Sequence, residues 1–381
     1  MNMLSQYASN RDNNFNLIRL LAAFAVVVSH SRAIVFGDTA LELLEVETGY
    51  TLGHLAVNVF FVISGFLITQ SFVRSQDAVS YITARLLRLV PGLVVAALVT
   101  VFIIGPWATT ASMSDYFGDI TTWSYVPLVG SLVAENSIPL MGVFTALPFA
   151  DELNVPLWTL RWGFLAYLAI AALGMIGLLG SAMRFTPIFL LFIIVYVCVT
   201  LLTDLRTSID AVDHAMRLGL CFILGSAFFM YRSYIVISIL PAAAVWFLVY
   251  LVKDSALYQG ALILALGYST FWLAYIPEGA IRLYNKFGDI SYGVYIYGFL
   301  LGQVTIFVLP HLNASELLVY STLPILIAAT LSYYLVEAPM MKRRKKVTNW
   351  LKSLIGFVPN SARKMDISQS RPAGKVKNLN L

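Results

Sequence analysis

Two titratable side chains on one apolar stretch are the first sign of chemistry in this sequence. Residues 16–30 read NLIRLLAAFAVVVSH, with Arg19 near the start and His30 at the end. A charge at the centre of a bilayer costs roughly 2.5–3.5 kcal/mol even on a permissive scale, so such groups are functional by default. Eleven residues turn a helix by about 1100°, some 20° past three full turns, so both side chains leave one face, about 16 Å apart along the axis. That face offers a permanent cation at one end and, at the other, an imidazole suited to general-base work. The structural alternatives are an Arg19 that snorkels to lipid phosphates and a His30 seated in the membrane interface.

A second cationic element is YITARLLRLVPG, residues 81–92, where Arg85 and Arg88 stand three apart just before Pro91 and Gly92. Side chains at that spacing are neighbours on a helix surface. Beside Arg19 they would form a phosphate-binding site; either one alone also suits an ordinary basic flank. In HLAVNVFFVISGFLITQSF, residues 54–72, Asn58, Ser64 and Gly65 interrupt an apolar run. Ser and Gly at such places usually serve helix packing.

The elements that must position these groups are membrane helices. Of 381 residues, 59% are hydrophobic and 12% charged, against about 25% charged in soluble domains. The chain is therefore expected to be all-α, a polytopic membrane bundle. Apolar runs near the 20-residue length that a bilayer requires predict ten spans, at 15–35, 54–73, 88–106, 158–180, 185–203, 214–231, 234–252, 257–276, 289–309 and 315–337.

Charge orients them. Residues 342–381 hold eleven Lys or Arg and one acidic residue, Asp366, beginning with KRRKK at 342–346, while residues 1–341 are net acidic. Arg74, Arg85, Arg88, Arg184, Arg232, Arg282 and Lys286 fall in loops on that same side. The loop 36–53, with Asp38, Glu42, Glu45 and Glu47, and the acidic stretch 89–160 fall on the other. Arg32, Arg161, Arg206 and Lys253 are the exceptions. The positive-inside rule thus expects both termini in the cytoplasm. Three parts are expected: a polar cytoplasmic terminus at 1–14, a membrane domain at 15–340 and a basic, disordered cytoplasmic tail at 341–381. The basic tail would meet anionic membrane lipids, and no nucleic-acid partner is expected. Cys198 and Cys221 lie in apolar runs and are expected to pack unpaired.

The motifs together resemble the acyltransferase-3 family of integral membrane acyltransferases, which includes O-acetyltransferases of surface polysaccharides. The resemblance rests on Arg19 and His30 with ten residues between them in the first span, FFVISGFL at 60–67, and Arg85-x-x-Arg88 before Pro91. It continues through PLWTL at 156–160 with Tyr167 following, GDISYGVY at 288–295, and the Glu337-x-Pro339 that ends the last span. These motifs run in the family's order over residues 15–340. Two positions depart. WTLRWGFLAY carries Gly163 where the family usually has Glu, and Tyr297–Gly298 stand where many members have Trp-His.

The resemblance implies transfer of an acyl group, most often acetyl, from cytoplasmic acetyl-CoA to a hydroxyl of an extracytoplasmic glycan, in a multi-pass protein of the bacterial inner membrane. It assigns catalysis to His30 and Arg19 and the donor phosphates to Arg19, Arg85 and Arg88, with no metal. Trp158 would stack on the acceptor sugar or sit in the membrane's aromatic belt; Tyr292 and Tyr295 would line the passage or pack. Ser64 and Glu337 would support the site, Glu337 as partner to an arginine. The rival readings are a transporter of glycan or another small molecule, using Arg19 and His30 as its path, and a catalytically impaired relative in which Gly163 has removed an essential carboxylate.

Overall fold

The computed structural model describes residues 3–8, 12–37, 41–132 and 138–354. It is a bundle of helices, and among the described residues β-pairing is confined to two isolated bridges. The helices that carry the argument are α1 (Phe15–Phe36), α2 (Leu52–Ser75), α3 (Ala78–Ala108), α4 (Val155–Met175), α5 (Ala182–Leu202), α6 (Asp210–Met230), α7 (Ile239–Leu251), α8 (Tyr258–Tyr275), α9 (Ser291–Val308), α10 (Ala314–Lys342) and α11 (Arg344–Leu354). The protein is an integral, multi-pass membrane protein.

Each of the ten expected spans is a helix, but eight are long and apolar enough to cross alone, nine if α8 is joined to the segment after it. The α7 helix has 13 residues, about 20 Å at 1.5 Å per residue, against a hydrocarbon core near 30 Å. Its expected first turns are diverted. The Ile235 and Arg232 carbonyls accept from the Leu4 and Ser5 amides, and the Tyr268 hydroxyl bonds the backbone of Val236 and Ser238. The α8 helix ends before Pro277, and the chain turns by 92° into Ala280–Phe287, helped by Gly279 at φ +89°, a conformation that favours glycine.

Capping and proline set the other boundaries. Thr51 and Asp77 side chains accept from the third amides of α2 and α3, and Asn313 and Glu316 form a reciprocal capping box on α10, satisfying amides that a helix start leaves free. Two π-turns widen α3 at Thr100–Ile104 and α10 at Tyr333–Glu337. Each ends two residues before a proline, Pro106 or Pro339, whose ring would clash with the carbonyl four residues back in a regular helix. The second π-turn brings Glu337 fully into the interior.

The core of the bundle is the contact of α2 with α6. A Cβ on Gly65 would lie 2.0 Å from the Phe222 carbonyl oxygen, and one on Gly225 2.0 Å from that of Val62. Two small residues thus let the backbones touch, and the Thr69 hydroxyl donates to Ser226 across the seam at 2.9 Å. The obstacle is backbone and not a movable side chain. Gly65→Ala is accordingly expected to destabilise the protein by about 1–3 kcal/mol through overpacking. Gly163→Ala, whose added Cβ meets nothing closer than 4.0 Å, should leave the melting temperature in detergent unchanged or slightly raised.

The basic segment after α10 departs from expectation. Residues 344–354, expected to be disordered, form α11, docked on α3 through Arg344 to the Ser80 hydroxyl at 2.9 Å and Lys352 to Asp77. The rest of the expected tail, 355–381, lies outside the described residues. At the other end of the chain, Leu4–Ala8 is a short helix with Leu4 and Ala8 buried.

Candidate active site

Arg19 and His30 both stand on α1, each bordering a cavity, and another cavity between them shares lining residues with both. The first cavity, of about 1130 Å³, is lined by Arg19, Arg85, Arg88, Asp289 and Arg344. It shares Arg19, Ser64, Leu89, Tyr167 and Tyr292 with a second, apolar cavity of about 640 Å³. That one shares Val57, Thr159 and Tyr295 with a third, of about 600 Å³, lined by His30, Glu42, Trp158 and Arg217. Ser64 therefore borders two cavities, while its neighbour Gly65 does the packing.

At the arginine end, the cations are not all free. Arg19 pairs with Asp289 at 2.6 Å, and Arg88 bridges Asp289 and Glu337, both at 2.9 Å. Glu337 also accepts from Ser332 at 3.1 Å, so its expected arginine partner is Arg88. Burial pushes the Asp289 carboxyl up, but Arg19 and Arg88 outweigh it and hold the group below its ordinary range. Arg85 differs. It donates to the Ser71 hydroxyl at 3.2 Å, its buried Nε has no partner, and no carboxylate among the described residues pairs with it. Four guanidiniums, those of Arg19, Arg85, Arg88 and Arg344, face two carboxylates there, leaving a positive surplus suited to phosphate.

At the other end, His30 has a partner that the sequence left in a loop. Its Nδ1 lies 3.2 Å from Glu42, which also accepts from the Ser29 hydroxyl. Burial raises the Glu42 carboxyl, yet the His30 and Ser29 contacts overcome this and hold it below 4.5. A carboxylate only accepts, so Nδ1 carries the proton and Nε2 is left as the basic nitrogen. Phe299 packs edge-on against the ring at 5.5 Å. A carboxyl depressed in the fold contributes stability that is complete above its unfolded value and lost as pH falls through the lower folded one. The stability gap between wild type and Glu42→Gln should thus be full at pH 7 and shrink from pH 4.5 downward, read by thermal melts across that range.

The aromatic residues line this path with their hydroxyls engaged. Tyr292 donates to the Leu89 carbonyl at 2.7 Å, and Tyr295 to that of Pro156 at 2.7 Å while meeting Thr159 at 2.5 Å. Trp158 borders the His30 cavity and stacks on His214 with ring centroids 4.1 Å apart. The long connection before α4 closes the neighbouring wall: Gln303 donates to the Phe149 and Glu152 carbonyls and Asn154 to that of Ile296. Among the described residues, no three His, Cys, Asp or Glu side chains gather as a metal site.

Residues 12–352 match the family model described as an acyltransferase domain. The chain belongs to the acyltransferase-3 family. It is similar to an O-acetyl transferase of Shigella phage Sf6, 28% identical over 345 residues that cover 88% of this chain and 97% of that one. It is also similar to nodulation protein 10 of Rhizobium leguminosarum bv. viciae, 37% identical over 92 residues, 24% of each chain. No solved structure matches it.

For an acyltransferase-3 protein the departures from the motif acquire positions. Gly163 borders the apolar middle cavity beside Thr159 and Tyr167, so a glutamate there would point into the passage and not into packing. Three residues escaped sequence reasoning. Glu42 was visible only as one loop acid among several, and Asp289 lay unassigned inside the GDISYGVY motif. Arg217, an arginine within the apolar run of α6, carried the same signal as Arg19, that of a charge placed where charge is costly.

Proposed function

We propose that this acyltransferase is a membrane O-acetyltransferase that moves acetyl from cytoplasmic acetyl-CoA to a hydroxyl of an extracytoplasmic glycan, such as a surface polysaccharide, at a bacterial inner membrane. The observation that carries this reading is the series of three cavities, each sharing lining residues with the next, from the arginine cluster to the His30–Glu42 pair. The cationic end fits the donor's phosphates, with Arg85 and Arg344 free of carboxylate partners among the described residues. The apolar middle fits the arm that carries the acyl group. The far end supplies a base oriented by a carboxylate. Basic loops and the 342–346 cluster at the arginine end, with acidic loops at the other, support the orientation. The name of the phage relative supports acetyl as the group and oxygen as its acceptor.

The test is thiol release from acetyl-CoA by the purified protein in detergent, with and without crude surface glycan, for wild type and Gly163→Glu. Glycan-dependent release by wild type supports the reading and makes Gly163 a tolerated departure. Release by Gly163→Glu alone identifies this chain as an impaired form of the same enzyme. Silence from both overturns the proposal and turns attention to transport or binding without turnover.

A further inference from the structure

Among the described residues, Arg217 is the arginine most deeply buried. It lies in the middle of α6 with 2% of its surface exposed. Its Nη1 donates to the Asn58 side-chain oxygen on α2 at 2.8 Å, and its Nη2 is buried without a hydrogen-bond partner. Asp213, one turn earlier on the same helix, is taken by Arg206 at 2.6 Å. Arg19 and Arg88 each have a carboxylate; among the described residues Arg217 has only a neutral amide, which holds the group without cancelling its charge. A buried unpaired cation is among the costliest arrangements a protein can keep. This one borders the same cavity as His30, Glu42, Thr159 and Tyr295.

We infer that Arg217 is a catalytic residue whose guanidinium stabilises the oxyanion formed during acyl transfer at His30, an inference that rests on the acetyltransferase reading above. In that step the acceptor hydroxyl oxygen bonds to the thioester carbonyl carbon while its proton passes to His30 Nε2. The carbonyl π pair moves onto oxygen, creating a negative charge. Collapse re-forms the C=O bond, breaks the C–S bond and expels the coenzyme A thiolate, which takes the proton from His30. The charge exists only between those two events. A fixed donor serves it without reorganisation, and Asn58 holds this one by Nη1, leaving the buried Nη2 without a partner of its own to donate to the reacting oxygen. A permanently anionic acceptor is disfavoured because Glu42 borders the same cavity.

The experiment is steady-state thiol release with acetyl-CoA and glycan for wild type, Arg217→Met, Arg217→Lys and Asn58→Leu, in the Gly163→Glu background if wild type turns over only there. Arg217→Met should lower kcat by about 10²–10³-fold with KM for both substrates within a few-fold. Arg217→Lys should retain part of the lost rate, and Asn58→Leu, which keeps the cation, should lose much less than Arg217→Met. If Arg217→Met does not elute as folded protein, the Lys variant decides by the same split of kcat from KM. A raised KM for glycan with kcat unchanged would overturn the inference in favour of a ground-state anion site. Equal losses in Asn58→Leu and Arg217→Met would reduce Arg217 to a pin between α2 and α6. Both would leave the acetyltransferase reading intact, whereas an absence of glycan-dependent release in wild type and Gly163→Glu would remove both.

Discussion

Replacing His30 by Ala is expected to lower glycan-dependent thiol release by roughly 10²–10⁴-fold, the usual worth of a positioned general base, with little change in KM for acetyl-CoA. The split follows from distance. His30 borders the last cavity, whereas Arg85 and Arg344 border the first, so phosphates held there, as proposed, would not meet the imidazole. Glu42→Gln should show a smaller loss of the same kind. Its amide can donate as well as accept, so it no longer compels Nδ1 to hold the proton and Nε2 to stay free. Initial rates by a thiol reagent, over a range of acetyl-CoA concentrations, check both. A His30→Ala protein that turned over at the wild-type rate would remove the imidazole from the reaction.

How much of this was legible beforehand depends on how local each feature is. Hydropathy is local, and each of the ten expected spans is a helix. The common face of Arg19 and His30 follows from helical pitch alone. What eluded sequence reasoning was set by partners distant in the chain. Glu42 meets His30 from outside α1, and Asp289 joins Arg19 to Arg88 from a third element, 270 residues beyond Arg19. The shortening of α7 depends on backbone groups claimed by Leu4, Ser5 and Tyr268. The π-turn that turns Glu337 inward had a local cause in Pro339, but its consequence depended on where Arg88 stands. Charge counts identified three arginines at one end without revealing that Asp289 and Glu337 tie up two of them.

That division among the arginines has the largest structural consequence. Arg88→Met removes a guanidinium held by two carboxylates, leaving Glu337, with none of its surface exposed, bonded to the Ser332 hydroxyl alone. Breaking a buried pair by deleting one partner typically costs about 3–5 kcal/mol, mostly the penalty of an uncompensated charge, whereas replacing both partners by apolar groups is often neutral. The double variant Arg88→Met with Glu337→Leu should therefore be more stable than Arg88→Met alone, since Asp289 keeps Arg19. Arg85→Met predicts the opposite profile. With no carboxylate to strand, it should unfold near the wild-type midpoint yet raise KM for acetyl-CoA about 10–100-fold, the equivalent of one lost charge-assisted phosphate contact of about 1.5–3 kcal/mol. Unfolding in detergent followed by tryptophan fluorescence, paired with donor saturation curves, separates the two roles. If Arg85→Met unfolded early and Arg88→Met did not, the network would be assigned the wrong way round.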